Sequence, residues 1–361
     1  MRRTRGRVVM VESLAELDRR LSAGVRHLRG WRIVGLDLRA SSDALAACDT
    51  SRTTFAGCRF APGEAERHEL RGALVLPGVE AAPIDPHRDT LYTADELYDA
   101  EPYARSLDAR AFAWAHERTA SDAALARALH DEGVDGALAS WSAGRRLVGV
   151  MGGHALDRGG AGYAAAARMG RLLGRRLTVA TGGGPGAMEA ANLGARLAAR
   201  TGPELDEALE LLASAPSYHP SADDWVRAAR RVIARFPDPT DSLGVPTWHY
   251  GHEPSNLFAT AIAKYFRNAL REAILLELCD AGIVFLPGAG GTVQEIFQDA
   301  CENYYATEDR IAPMVLVGRE HWTETLPAWP LLRALAKGRP MERHVHLVDT
   351  VEAAAALLAP E

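Results

Sequence analysis

Lysine is nearly missing from this 361-residue chain. Lys264 and Lys337 are the only two, although Lys and Arg together number 41. Pyridoxal-type chemistry needs a Schiff-base lysine, and neither residue fits: Lys337 lies far along the chain from both glycine-rich turns described below, and Lys264 falls on an expected helix. Cysteine is sparse too. Cys48, Cys58, Cys279 and Cys301 show no CxxC spacing, which argues against a disulfide framework or a zinc knuckle and makes a reducing cytoplasm the expected setting. Cys279 and Cys301, next to or just after an apolar strand, are expected to be buried. Positive charge is not in excess, with a formal net charge of -6, so no broad nucleic-acid footprint is expected. No apolar run is long enough to span a bilayer. Arg2, Arg3, Arg5 and Arg7 make the start basic, but no apolar stretch follows as in a secretory signal. The G-x-x-x-x-G-K-[ST] pattern is absent, and no G-x-G-x-x-G turn is followed by a suitably spaced acidic residue. A P-loop ATPase and a dinucleotide dehydrogenase are therefore both disfavoured.

The chain does contain ample apolar material, 47% against 24% charged residues, and its length suggests about two domains. Residues 1–92 read as a small α/β region, with strands at 8–11, 31–38 and 73–76 and a helix capped by Ser13. Asp37, Asp43, Asp49 and His68 read there as solvated surface. Residues 93–140 read as a helical connecting segment in which Thr93 and Glu96 have capping-box spacing, with His116 and His130 in surface or packing roles. From 141 to 361 strands alternate with helices, the pattern of a doubly wound, mostly parallel, Rossmann-like sheet. Strands are expected at 147–151, 177–180, 282–286, 313–317 and 344–348, with another around 247–250. A long helix is expected over 256–278. No internal repeat is visible.

Two glycine turns stand out. Residues 280–295 run from a short apolar strand through Pro287, Gly288, Ala289, Gly290 and Gly291 into a helix with Thr292 and Glu295 in capping-box spacing. Residues 181–189 repeat the arrangement with Gly182, Gly183, Gly184, Pro185, Gly186, Met188 and Glu189. Gly152 and Gly153 follow the first strand of the same sheet. A strand, a glycine turn and a helix N-terminus bring free N–H groups and the helix dipole to one point, suited to a phosphate. Ligands of open α/β sheets bind at this strand edge. The carboxylate of Glu295 near such a positive end is unexpected for an anion site; a helix cap is its ordinary reading. Just upstream, Lys264, Arg267, Asn268, Arg271, Glu272 and Glu277 read as a charged helix face, or as arginines able to clamp a phosphate bidentately.

Residues 287–295 resemble the PGGxGTxxE signature of the Lonely Guy family, the cytokinin-activating phosphoribohydrolases often mislabelled lysine decarboxylases. Residues 182–189 are similar to the first glycine turn of its larger bacterial members, nucleotide 5′-monophosphate nucleosidases, and the resemblance spans about residues 146–317. It implies hydrolysis of a nucleoside 5′-monophosphate to free base and ribose 5-phosphate, with Glu295 and Arg271 catalytic. Arg267 is the alternative arginine, because the strand at 280–287 is one residue longer than in short members. It further implies substrate contacts from the three glycine segments, Arg267, Asn268 and Thr292, no metal or cofactor, and a homodimer or higher assembly. Ala289 stands where the signature has its second glycine. A non-catalytic nucleotide sensor or carrier is the alternative function. His154, Trp248, His249, Tyr250 and His252 are candidate base liners, or else part of a packed loop.

Overall fold

A computed structural model describes residues 9–76, 82–117, 121–250 and 253–359. They form two compact units, one from the described residues within 1–87 and 118–129 and the other from those within 88–117 and 130–361. Val8, expected to open the first strand, lies outside the described residues.

The first unit holds β1 (Val9–Val11), α1 (Leu14–Ser22), β2 (Trp31–Val34), α2 (Ser42–Ala46), β3 (Thr54–Ala56), α3 (Glu64–Leu70) and β4 (Leu74–Leu76). Its four strands are parallel in the order β1-β2-β3-β4. Val9 pairs with Trp31, Arg32 with Thr54 and Thr54 with Leu74, offsets of 22, 22 and 20 residues. The coils repeat beyond the strands. The Gly30 amide bonds to Arg52 O and the Arg52 amide to Gly72 O; Gly35 bonds to Ala56 O and Gly57 to Leu76 O. Gly30, Arg52 and Gly72 share left-handed backbone, with φ of 80°, 59° and 87°. The unit is thus an internal repeat, contrary to the sequence reading. Gly35 and Gly57 match, but other equivalent positions carry unlike side chains, as with Gly30, Arg52 and Gly72, so the backbone repeats more closely than the sequence. Its core is Leu17, Leu28, Trp31, Ile33, Leu38 and Phe55 with their neighbours. His68 belongs to it and not to the solvated surface. It is 1% exposed, its Nδ1 lies 3.1 Å from Thr50 Oγ1, and its ring packs on Phe55 and Phe60.

The chain continues through α4 (Ala94–Leu97), α5 (Leu107–His116) and α6 (Ser121–Ser142). Residues 88–117 belong to the second unit, and side chains bond them into it. Asp108 accepts from Tyr103 Oη at 2.9 Å, Trp248 Nε1 at 2.9 Å and Lys264 Nζ at 2.5 Å. The remaining elements are β5 (Leu147–Met151), α7 (Ala161–Gly174), β6 (Thr178–Thr181), α8 (Ala187–Arg196), α9 (Gly202–Ala213), α10 (Ala222–Arg235), β7 (Ser242–Gly244), β8 (Ala261–Ile262), α11 (Asn268–Leu278), β9 (Ile283–Phe285), α12 (Gly290–Tyr305), β10 (Met314–Val317), α13 (Ala328–Ala336), β11 (Val345–Val348) and α14 (Val351–Leu358). All seven strands are parallel, in the order β11-β10-β9-β5-β6-β7-β8. This is the doubly wound α/β sheet expected from the alternation of strands and helices. The order reverses between β5 and β9, where connections leave toward opposite sides and open a crevice. The abundant alanine and glycine serve packing: a Cβ on Gly194 of α8 would fall 1.8 Å from Ala167 O of α7, so these helices meet backbone to backbone.

Three local expectations are corrected. Residues 256–278 are not one helix. Asn256 Oδ1 accepts from the amides of Phe258 and Ala259, and its Nδ2 donates to Gly184 O and Asn192 Oδ1. Residues 257–266 are then buried except for the half-buried Thr260 and supply β8, a mostly apolar run without the continuous polar face of a surface helix. The strand expected near 247–250 is Ser242–Gly244 instead, and Thr247 makes only an isolated bridge to Tyr265; Pro246 between them has no N–H to donate. Cys301 is exposed, while Cys48 and Cys279 are buried and Cys58 is half-buried. No helix among the described residues is long and apolar enough to cross a membrane.

Candidate functional site

A cavity of about 690 Å³ opens at the sheet edge where strand order reverses, within the range for small-molecule sites. The loops after β5 and β9 form its floor. Gly152 is squeezed between the two following helices' approaches: a Cβ there would stand 3.0 Å from both Ala187 Cβ and Leu286 Cβ. The amide of Gly153 donates to Pro287 O at 3.3 Å, and its carbonyl accepts from Ala187 N at 3.0 Å. The three glycine segments are therefore tied together by backbone hydrogen bonds.

The second turn leads into α12, which begins at Gly290 with Ala289 as its N-cap. Ala289 has φ −118° and ψ −150°, extended backbone open to any L-residue, so alanine is accommodated there without strain. Thr292 is not the cap. It lies inside the first turn, buried over Gly288, where an added Cβ would come 2.2 Å from Thr292 Oγ1. Val293 makes the first helical bond, to Ala289 O at 3.0 Å. The amides of Gly290, Gly291 and Thr292 thus remain available, as at any helix start, and the first turn carries no acidic residue. His321, in the π-helical turn His321–Thr325, holds the loop through Nε2 and Gly288 O at 3.1 Å.

Arg271 lies on α11, 9% exposed, and lines the cavity. Its Nε donates to Asn268 Oδ1 at 3.0 Å, and its Nη2 stands 3.5 Å from Glu272 Oε1. Glu272 in turn accepts from Asn268 Nδ2 and Gln294 Nε2, both at 2.6 Å, and Asn268 Nδ2 also reaches Tyr250 Oη at 2.8 Å. These contacts fix the guanidinium but leave Nη1 buried without a partner. That nitrogen sits beside Gly182, where a Cβ would be 3.2 Å away. Arg267 precedes the helix, is exposed, and does not line the cavity. Lys264 is buried in its pair with Asp108, not on the α11 face.

Glu295 faces the same space from the second turn of α12. It is half-buried, and no hydrogen-bond partner meets its carboxylate among the described residues. Desolvation pushes its pKa from 4.5 up to about 7, Glu272 adds to the rise, and the Arg271 charge opposes it. An ionised carboxylate is costly in such surroundings unless paired.

The other sequence-derived site residues divide. Met188, Gly152, Gly153, Gly288, Gly291 and Thr292 line the cavity. Gly182, Gly183, Gly184 and Gly290 do not; Gly183 O accepts from Asn256 N and Gly184 O from Asn256 Nδ2. Asn268 acts through Arg271. Pro185, Gly186 and Glu189 face a second, smaller cavity, and Glu189 is ion-paired with Arg158. Of the candidate base liners, His154 and Tyr250 line the main cavity. Trp248 is buried and stacks on Phe266 at 4.6 Å, His249 is exposed, and His252 lies outside the described residues. Glu253 and His321 also line the cavity. His321 escaped the sequence reading, yet it follows β10 at the same sheet edge, the placement that singled out the glycine turns. Among the described residues no cluster of three His, Cys, Asp or Glu could hold a metal ion.

No family model and no curated protein matches this sequence. Among solved structures, the chain is similar to a molybdenum cofactor binding protein from Rippkaea orientalis, with 17% identity, a TM-score of 0.36, and coverage of 59% of this chain and 94% of that one. It is also similar to the molybdenum cofactor carrier protein from Chlamydomonas reinhardtii, at 17% identity and a TM-score of 0.35, covering 59% and 95% of the two chains. At this level of identity and superposition, the functional reading below rests on the cavity's own residues.

Proposed function

We propose that this cavity binds a nucleoside 5′-monophosphate and hydrolyses its N-glycosidic bond, releasing free base and ribose 5-phosphate. The observation that carries the reading is the presence, in one cavity, of unpaired donors and an unpaired carboxylate. The donors are the first-turn amides of Gly291 and Thr292 in α12 and Arg271 Nη1; the carboxylate is Glu295. A phosphate matches the donors. The carboxylate suits the positive charge that builds on the ribose when the C1′–N bond breaks and its electron pair leaves with the base.

In this reading the phosphate accepts from Gly290, Gly291 and Thr292, and Arg271 Nη1 donates to the phosphate or the ribose. Glu295 takes a proton from the attacking water as its oxygen joins C1′, and the base leaves with the C1′–N electron pair and takes up a proton from solvent. A carboxylate titrating near 7 is suited to that transfer at neutral pH. No metal enters the scheme. We also expect a homodimer or larger assembly, and light scattering that shows only monomer would remove that expectation.

The test is incubation with AMP, GMP, CMP, UMP and isopentenyladenosine monophosphate, with free base as the readout. Base release from at least one, abolished by Glu295→Gln, supports hydrolysis. A non-catalytic carrier or sensor is the second reading, for which Ala289, standing where the signature has a glycine, leaves room. Tight AMP binding with no base released from any member of the panel selects it.

A further inference from the structure

Beside the main cavity lies a smaller one of about 260 Å³. The two share His154, Ala155 and Leu156, the loop that follows β5. Tyr218, His219 and Trp225 give the smaller cavity its aromatic character. Tyr218 also feels what lies next door. Burial raises its phenol pKa, and the charge of Glu253, a wall residue of the main cavity, raises it further. His154 Nδ1 is 3.9 Å from the same Glu253 carboxylate. The annex and the main cavity therefore adjoin at His154, Glu253 and Tyr218.

Its electrostatics exclude a second phosphate. No lysine or arginine lines it, while Asp157 and Glu189 do. The nearest cation, Arg158, is 3% exposed and already committed. It is paired with Glu189, donates from Nη1 to Trp225 O at 2.9 Å, and lies 4.4 Å from the centre of the Trp225 ring. At about 260 Å³ the space is below that of whole-ligand sites, and it is aromatic-walled and without free positive charge. What suits it is an uncharged planar ring whose exocyclic donors can meet acceptors.

Building on the nucleotide reading of the main cavity, we propose that this annex receives the heterocyclic base, with Tyr218 and His219 as the residues that select it. The ligand then spans the shared loop. Its phosphate lies on the α12 amides and Arg271, its ribose beside Glu295, and its base against Tyr218. The substrate class this defines is a nucleotide with an aromatic base, whose affinity comes from both ends.

Calorimetry with AMP and with ribose 5-phosphate, which lacks only the base, tests this on the full-length Glu295→Gln protein, where hydrolysis does not consume the ligand. AMP is expected to bind at least about tenfold more tightly, the scale of one base stacked on an aromatic ring. Adding Tyr218→Ala should abolish most of that advantage and leave ribose 5-phosphate binding unchanged; Tyr218→Phe, which keeps the ring, should restore it. If AMP keeps its advantage in Tyr218→Ala, the annex does not hold the base, although the main cavity remains a nucleotide site. Equal affinities for AMP and ribose 5-phosphate in the parent overturn the annex in the same way. If Tyr218→Ala loses both ligands while Tyr218→Phe binds both, Tyr218 supports the cavity frame and the proposal is wrong. If the parent binds neither ligand, this proposal and the nucleotide reading fall together.

Discussion

Replacing Glu295 with glutamine should make the protein more stable at alkaline pH and leave it unchanged in acid. The carboxylate has no hydrogen-bond partner among the described residues, and burial lifts its pKa from 4.5 to about 7. Below pH 4.5 folded and unfolded chains both hold the proton, and stability is independent of this group. As pH rises through 4.5 the unfolded chain ionises while the folded protein keeps its proton, so stability falls. The loss is complete once pH passes about 7. The interval from 4.5 to about 7 corresponds to about 3 kcal/mol. Because the side chain is half-buried and open to the cavity, solvent screening lowers this, and about 2 kcal/mol is the working figure. Glutamine has the same shape and cannot ionise. For a domain of this size, about 2–4 °C accompanies each kcal/mol. Glu295→Gln should therefore melt about 4–8 °C above the parent at pH 8.5 and within about 1 °C of it at pH 4.5. Thermal melts in phosphate-free buffer, which keeps the anion site from being filled, read this directly. A shift of equal size at both pH values, or a lower melting point for the glutamine variant at pH 8.5, would show that the folded protein satisfies the carboxylate and would refute the argument.

Arg271→Ala removes the unpaired Nη1 and should weaken AMP binding about 10- to 100-fold, the scale of one charge-assisted hydrogen bond; calorimetry showing unchanged affinity would place the phosphate elsewhere. Glu189→Gln breaks a buried pair in which Arg158 and Glu189 are 3% and 1% exposed; urea titration should show a loss of about 3–5 kcal/mol, and a loss below about 1 kcal/mol would mean that the other Arg158 contacts suffice. In the first unit, Arg52 is the only described non-glycine residue with positive φ, 59°, and Arg52→Gly should raise stability by about 0.5–1 kcal/mol, read as a higher urea midpoint with unchanged slope. A lower midpoint would mean that the arginine side chain contributes more than its backbone costs.

The doubly wound sheet was legible because its signals are local. Strands β5, β6 and β9 are apolar runs that each end at a glycine turn, and the helix that follows has its own start. The alternation alone implies parallel strands, and the strand order then places the turns after β5 and β9 at the reversal point. Helix α9 was equally readable and passed over: Thr201 N and Oγ1 both donate to Glu204 Oε2, at 2.7 and 2.8 Å, a capping pair with proline behind it in the sequence. The repeat of the first unit was not legible in the same way. What recurs there is a left-handed turn, occupied in succession by Gly30, Arg52 and Gly72. A residue-by-residue comparison sees glycine, arginine and glycine, and only the hydrogen-bond ladder reveals one position.

The site shows the same boundary between local and distant information. Glu295 was reachable from its spacing after the Pro287 turn, and Arg271 through the resemblance of that turn to a known signature, with Arg267 as the alternative. Which donor of Arg271 remains free was not. Asn268, one turn earlier on α11, takes Nε, and Glu272, held by Gln294 from α12, approaches Nη2. Gly182, from the other glycine turn, leaves room beside Nη1 by having no side chain. Alanine at 182 would set a carbon 3.2 Å from that nitrogen and 2.8 Å from Met188 Sδ. The first glycine turn, read from sequence as a second phosphate cradle, therefore acts at Gly182 as a close backing to the one guanidinium nitrogen that is left without a partner. That division of labour also explains why Gly183 and Gly184 have their carbonyls tied to Asn256: a turn that positions an arginine must itself be held still.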